Sequence, residues 1–240
     1  MQAKVYGVPG ERVRTAGILK VLLPVLAAVL VLGIVAGMGV ALLPLPKVTA
    51  AVFGILTLVA AAFLAWAAHL CPQRVDAFFK GARGEERAAF ALEALPAGFS
   101  VFNGIARKKG MALMRGDMDH VVAGRTGVFV IETKNWDGEV ACDHGRVWVD
   151  GRLPSRDPLA QVLKARDALE AELAGAIEDA PVKARPVLCF AGRGFLGKRA
   201  NVDGVEICHA REVAALIGES PVELSADEVE RVANRLVGML

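Results

Sequence analysis

The sequence predicts one α/β or α+β domain over residues 81–240, preceded by a two-helix transmembrane hairpin over 18–70. Two observations carry this. Between Val21 and His69 the only full charge is Lys47. After Phe79, helix-like and strand-like patterns alternate on a length that suits a single core of about 160 residues. The charges divide at the same place. The first 80 residues hold seven Lys/Arg against Glu11 and Asp76, a net +5, which leaves −3 for the remainder of a chain whose total is +2. The soluble part is therefore not a polycation that binds nucleic acid by charge alone, and any such binding must be local.

Val21–Leu43 and Val48–Leu70 are apolar runs of 23 residues each. At about 1.5 Å per residue, either run spans a hydrocarbon core of about 30 Å. Only Pro44-Leu45-Pro46-Lys47 separates them, which predicts antiparallel helices with both ends on one side. Lys4, Arg12, Arg14 and Lys20 before the hairpin, and Arg74, Lys80 and Arg83 after it, put that side in the cytoplasm. Trp66 and His69 suit the interface near the second exit. A signal peptide followed by a core helix is the competing reading, but these runs exceed an h-region of about 7–15 residues. With no acid or base in the membrane interior of the runs to suggest transport, the hairpin reads as an anchor. The expected order is a cytoplasmic segment 1–17, the hairpin 18–70 in contact with the bilayer, a juxtamembrane linker 71–80 and the domain 81–240, with both termini cytoplasmic.

In the domain, Gly84–Leu95 repeats apolar residues at 88, 89, 92 and 95, a helical spacing. Glu85 shares that stripe, whereas Glu86 lies with Phe90 and Glu93. Glu85 therefore points to the core, where a carboxylate needs a polar partner. Pro96-Ala97-Gly98 ends the helix, and a strand follows over Phe99–Ile105. Asp117–Ala123 and Val128–Lys134 read as strands joined by a turn at Gly124–Gly127, with shorter strands near Glu139–Cys142 and Arg146–Val149. Asp157-Pro158 opens a helix towards Ala176 with Asp as N-cap and Pro at the first position. Strands at Val187–Phe190 and Val205–Cys208 and helices near 210–216 and 226–240 complete the chain. Ser225 and Glu228 form a capping-box pattern at the last helix. Cys71, Cys142, Cys189 and Cys208 include no C-x-x-C pair, which argues for free thiols rather than a zinc site.

A turn leaving two or four residues unpaired sets positions that sum to 251 opposite each other, so Asp119 faces Glu132. Two like charges so placed destabilise a sheet unless something offsets them. Lys134 is two residues beyond Glu132 and shares its face. A divalent, oxygen-seeking cation such as Mg²⁺ suits the carboxylates, with Lys134 placed to stabilise charge gathering on a phosphate. A surface hairpin with solvated charges is the plain alternative, although Val121 and Val130 make that face more apolar than solvation requires.

The runs GEERAAFALEALPAGFSVFNGI, DMDHVVAGRTGVFVIETKNWDGEV and DPLAQ together resemble the nuclease-related domain, NERD, a branch of the PD-(D/E)XK nuclease superfamily. The resemblance covers roughly Gly81–Leu173. It implies a restriction-endonuclease-like mixed sheet flanked by helices, Mg²⁺ or Mn²⁺ held by Asp119 and Glu132, and Lys134 as the catalytic lysine. It further implies contributions from Glu85 on the first helix and from Gln161 on the helix after the strands. Asp117 stands where a neutral residue is usual in the family; it is either an added ligand or a bystander.

His120 points to the other sheet face and reads as a buried, hydrogen-bonded histidine rather than a base. Trp136 is a base-stacking candidate or ordinary packing. The loop cluster Arg107-Lys108-Lys109 is a candidate phosphate contact or a solvated run. Glu170, Glu172, Glu178 and Asp179 read as a solvated helix face. The leading expectation is a Mg²⁺-dependent phosphodiesterase acting on DNA or RNA; the alternative is a catalytically silent nucleic-acid-binding or protein-interaction module tethered to the membrane.

Overall fold

The structure, a computed structural model, describes residues 2–41, 47–105, 118–177 and 181–240. The chain forms two compact units, one of Met1–Arg12 with Lys80–Leu240 and one of Val13–Phe79.

The Val13–Phe79 unit is built from helix α1 (Glu11–Ala41) and the first part of helix α2 (Lys47–Leu92). Leu23, Leu26 and Leu30 on α1 and Ile55, Leu58 and Val59 on α2 are exposed, as on helices apolar all round. Among the described residues, Glu11–Ile34 is the one helical stretch long and apolar enough to cross a membrane, with mean hydropathy 2.5; Gly54–Trp66 is a shorter apolar helix. Residues 48–70, read as a second span, are helical throughout, and the connection at 44–46 lies outside the described residues. Gly17 is buried where a Cβ would come within 2.6 Å of the Phe78 side chain, so α1 and α2 touch there.

Helix α2 does not stop at the expected linker. Residues 71–80 are helical, and the helix expected from Gly84 is its last stretch. The helix runs on through Pro72, a residue that removes one backbone donor, and Gln73–Lys80 beyond it contains no proline or glycine to end it.

The larger unit is a seven-stranded mixed sheet in the order β1-β2-β3-β4-β7-β9-β8. Its strands are β1 (Lys4–Tyr6), β2 (Ser100–Ile105), β3 (Met118–Gly124), β4 (Gly127–Lys134), β7 (Ala184–Phe190), β8 (Ala200–Val202) and β9 (Val205–His209). β4 runs parallel to β7, and β7 to β9, while β2, β3 and β4 are antiparallel. β5 (Val140–Asp143) and β6 (Arg146–Val149) form a separate hairpin. β1 and β8 are too short to show a period-two pattern, and the sequence reading contains neither. β1 runs parallel to β2 at the sheet edge, so the N-terminal segment joins the domain.

Alternate strand residues feed two cores. On one face Val121, Val130, Leu188 and Phe190 pack with Leu159, Val162 and Leu169 of helix α3 (Pro158–Glu172) and with Val232 and Leu236 of helix α5 (Ala226–Val237). On the other, Val122, Phe129, Ile131 and Val187 pack with Ala88 and Leu92 of α2 and with Val213 and Ile217 of helix α4 (Ala210–Gly218). The expected caps are present: Asp157 accepts from the Leu159 N–H, and Ser225 and Glu228 form the capping box. Glu170 is not merely solvated; it accepts from the Ala184 N–H at 2.9 Å, tying α3 to the start of β7.

Candidate active site

Strands β3 and β4 pair in the expected register, from Gly124↔Gly127 to His120↔Ile131, around the two-residue turn Arg125-Thr126. Asp119 and Glu132 are the next residues outward. Asp119 Oδ2 accepts the Thr133 N–H at 2.7 Å, which fixes its carboxylate against the neighbouring strand. Glu132 and Lys134 follow Val128 and Val130 on the same face of β4, the one that α3 covers. There the Lys134 Nζ donates to Glu132 Oε1 at 2.5 Å and to Gln161 Oε1 at 2.7 Å. The Lys134 and Glu132 side chains are only 18% and 15% exposed. Gln161 reaches them because the Asp157 cap and Pro158 start α3 one turn earlier and buried Val162 presses the helix onto the sheet.

Glu85 lies on the buried stripe of α2, 8% exposed, while Phe90 on the opposite side is 77% exposed. Its polar partner is the Gly10 N–H, which donates to Glu85 Oε2 at 3.1 Å. Gly10 has φ +72°, and a Cβ there would come within 3.0 Å of the Ala82 side chain and carbonyl. A glycine thus lets the N-terminal segment approach α2 closely enough to satisfy the buried acid.

Asp119 is where these groups meet electrostatically. Burial, then the negative charges of Glu132 and Glu85, push its carboxyl well above the usual range, against the opposing pull of the Thr133 N–H and the Lys134 ammonium. A carboxylate so disfavoured by its neighbours suits a bound cation, and the all-oxygen donor set suits a hard one. Among the described residues, no group of three His, Cys, Asp or Glu side chains converges on one point. The carboxylates that could hold a divalent ion here are Asp119 and Glu132, since Mg²⁺ usually keeps several waters beside one or two carboxylates.

His120 is fully buried on the opposite face, its Nδ1 2.7 Å from Asn103 Oδ1, and burial lowers its pKa to about 3. Cys189 and Cys208 are buried neighbours on β7 and β9; the hydrogen bond between them, burial and the charge of Asp119 push the Cys189 thiol upward. Cys142, Cys189 and Cys208 form no disulfide among the described residues. Asp117, Glu178, Asp179 and the cluster Arg107-Lys108-Lys109 lie outside the described residues.

Beside Lys134 and Gln161 opens a pocket of about 570 Å³, lined also by Lys80, Trp136, Asp137 and Arg156. Trp136 is half-buried, its ring 5.7 Å from that of Phe190, which stacks on Phe195 at 4.9 Å. Gly192 and Gly194 make this wall possible. A Cβ on either would stand within 2.0 Å of the Trp136 or Gly138 carbonyl oxygen, so only glycine lets the chain after β7 pass beneath residues 136–138. The sequence reading did not find Lys80 and Arg156 as pocket residues. No spacing signals them, because α2 and the loop before α3 meet only through the fold.

Residues 80–191 match the family model of the nuclease-related domain, NERD, and the PD-(D/E)XK nuclease superfamily follows from that family. The match takes in Glu85, Asp119, Glu132, Lys134, Gln161, Lys80, Trp136, Asp137 and Arg156, leaves out Gly10 and the wall residues Gly192, Gly194 and Phe195, and extends the resemblance seen in the motifs through β7. No curated protein and no solved structure matches the chain.

Proposed function

We propose that the chain is a membrane-anchored, Mg²⁺- or Mn²⁺-dependent phosphodiesterase that cleaves DNA or RNA at Asp119, Glu132 and Lys134. The observation that carries this reading is the arrangement at the open end of β3 and β4: a carboxylate pushed towards protonation by burial and by two others, with one ammonium held alongside. Asp119 and Glu132 would hold the cation, which supplies polarisation of a phosphoryl oxygen and a water nucleophile at neutral pH. Lys134 directs its positive charge at the developing charge on phosphorus, and Gln161 and Glu132 fix where that ammonium sits. Glu85 acts on Asp119 through its charge while anchored to Gly10.

The anchor reading draws support from connectivity. β1 pairs with β2 inside one unit, so the chain leaves that unit after Arg12 and returns to it at Lys80. A segment that leaves and returns on one side crosses a bilayer an even number of times, which fits two apolar runs. The flanking lysines and arginines favour the cytoplasm for that side.

The second reading, a silent binding module, is favoured by the lack of a three-ligand cluster among the described residues. Incubating the full chain in detergent micelles with labelled DNA and RNA decides between them. Cleavage is expected with Mg²⁺ or Mn²⁺ and should be lost in Lys134→Ala and Asp119→Asn. Cleavage that survives both substitutions overturns the proposal, and binding without turnover supports the silent module.

A further inference from the structure

The pocket beside Lys134 has the chemistry of a nucleotide. Its volume of about 570 Å³ falls within the range of about 300–1,000 Å³ usual for sites that enclose a small ligand. Its cations are Lys134, Lys80 and Arg156, against the single acid Asp137 among the lining residues. Lys134 is occupied by Glu132 and Gln161, and Lys80 is paired with Asp137, whose side chain is 86% exposed. Arg156 has no ion pair or hydrogen bond among the described residues, so its guanidinium is free for an incoming anion. Trp136 supplies an aromatic surface backed by Phe190.

We propose that this pocket seats an unpaired nucleotide of single-stranded DNA or RNA, with Trp136 against its base and Arg156 and Lys80 on its phosphates. The proposal rests on the reading that Lys134 faces a phosphodiester, and it adds the strandedness of the substrate. A base inside a duplex has both faces covered by its neighbours; only an unstacked base offers a face to an aromatic ring. A free arginine suits phosphate because its planar donors match two oxygens at once. Asp137 holds Lys80 in place without strand, and its exposure lets Lys80 exchange it for phosphate at little cost.

The test is fluorescence anisotropy of the full chain in detergent micelles, with EDTA present so that nothing is cleaved. Labelled single strands of DNA and of RNA, about 15 nucleotides long, are compared with the corresponding duplex. Single strands of one or both kinds should bind at least about tenfold more tightly than duplex, and the two arms tell DNA from RNA. Arg156→Ala should weaken single-strand binding roughly tenfold and reduce the slope of log K against log salt by about 0.7, the loss of one phosphate contact. Trp136→Leu should weaken binding by a similar factor with the salt slope unchanged, and Trp136→Phe should restore most of it, which separates stacking from a folding defect. Equal affinity for duplex and single strand, or single-strand binding indifferent to both Arg156→Ala and Trp136→Leu, overturns the proposal. Metal-dependent cleavage that ignores these two substitutions removes the pocket and leaves the phosphodiesterase. Pocket-dependent binding without cleavage does the reverse.

Discussion

Gln161 on α3 accepts a hydrogen bond from the Lys134 ammonium at 2.7 Å, which sets the position of a charge that Glu132 alone would leave free to swing. In the proposed reaction the two residues divide the work: Lys134 would meet the phosphate and Gln161 would act through it. Lys134→Ala should lower kcat about 10²–10³-fold. Gln161→Ala should lower kcat about tenfold and leave KM nearly unchanged, because a misplaced ammonium weakens the transition state more than substrate binding. Steady-state cleavage kinetics measure both, and a Gln161 variant that raises KM alone contradicts the positioning role.

Asp119 links site and stability with an unusual sign. Its folded pKa is raised, so between the ordinary carboxylate value and that raised value the folded chain keeps a proton the unfolded chain has lost. Its contribution to stability therefore falls as pH rises through that window. Asp119→Asn keeps an acceptor for the Thr133 N–H and removes the charge. Without divalent cations at neutral pH it should raise the melting temperature by roughly 2–4 °C, the shift for about 1 kcal/mol in a domain of this size. Mg²⁺ should raise the melting temperature of the native chain but not of the variant. Thermal unfolding followed by tryptophan fluorescence checks both, and a destabilised Asp119→Asn contradicts the account.

His120 acts in the opposite sense. Its pKa falls to about 3 in the folded chain, so below the ordinary value of 6.5 only the unfolded chain takes up the proton. The stability associated with a neutral His120 is lost as pH falls from about 6.5 towards 3, at up to about 1.4 kcal/mol per pH unit. Asp119 opposes this over part of the range, so the effect is best read in the Asp119→Asn background. Denaturant unfolding at stepped pH should show a shallower acid slope in His120→Gln, and an unchanged slope contradicts it.

Pairing of β1 with β2 requires the start of the chain and the domain to occupy the same compartment. Fluorescent protein tags at either terminus should therefore both report the cytoplasmic side in cells. A tag pair split across the bilayer contradicts the two-crossing anchor.

The local parts of this architecture were readable from sequence because they rest on local physics. Register followed from a tight turn between two strands, so Asp119 and Glu132 could be set opposite each other by counting. The caps of α3 and α5 followed from side chains within three residues of the helix start. The buried position of Glu85 followed from its stripe, but its partner did not, since Gly10 lies 75 residues away in a segment with no pattern. The same limit hid β1 and the pocket cations: three residues carry no periodicity, and Lys80 and Arg156 meet only after the sheet has brought α2 and the loop before α3 together. The continuity of α2 through residues 71–83 was not foreseen for another reason. A change of composition near residue 80 marks a change of surroundings, and a helix can run through it unbroken.

The claim on which the account turns is that Asp119 and Glu132 hold a divalent cation. Crystals of the full chain grown with Mn²⁺, measured at the manganese absorption edge, test it directly. The account predicts one anomalous peak about 2.0–2.2 Å from an oxygen of each carboxylate, absent in Asp119→Asn crystals grown alike. A Mn²⁺ peak bound elsewhere, or no peak with both side chains ordered, contradicts it.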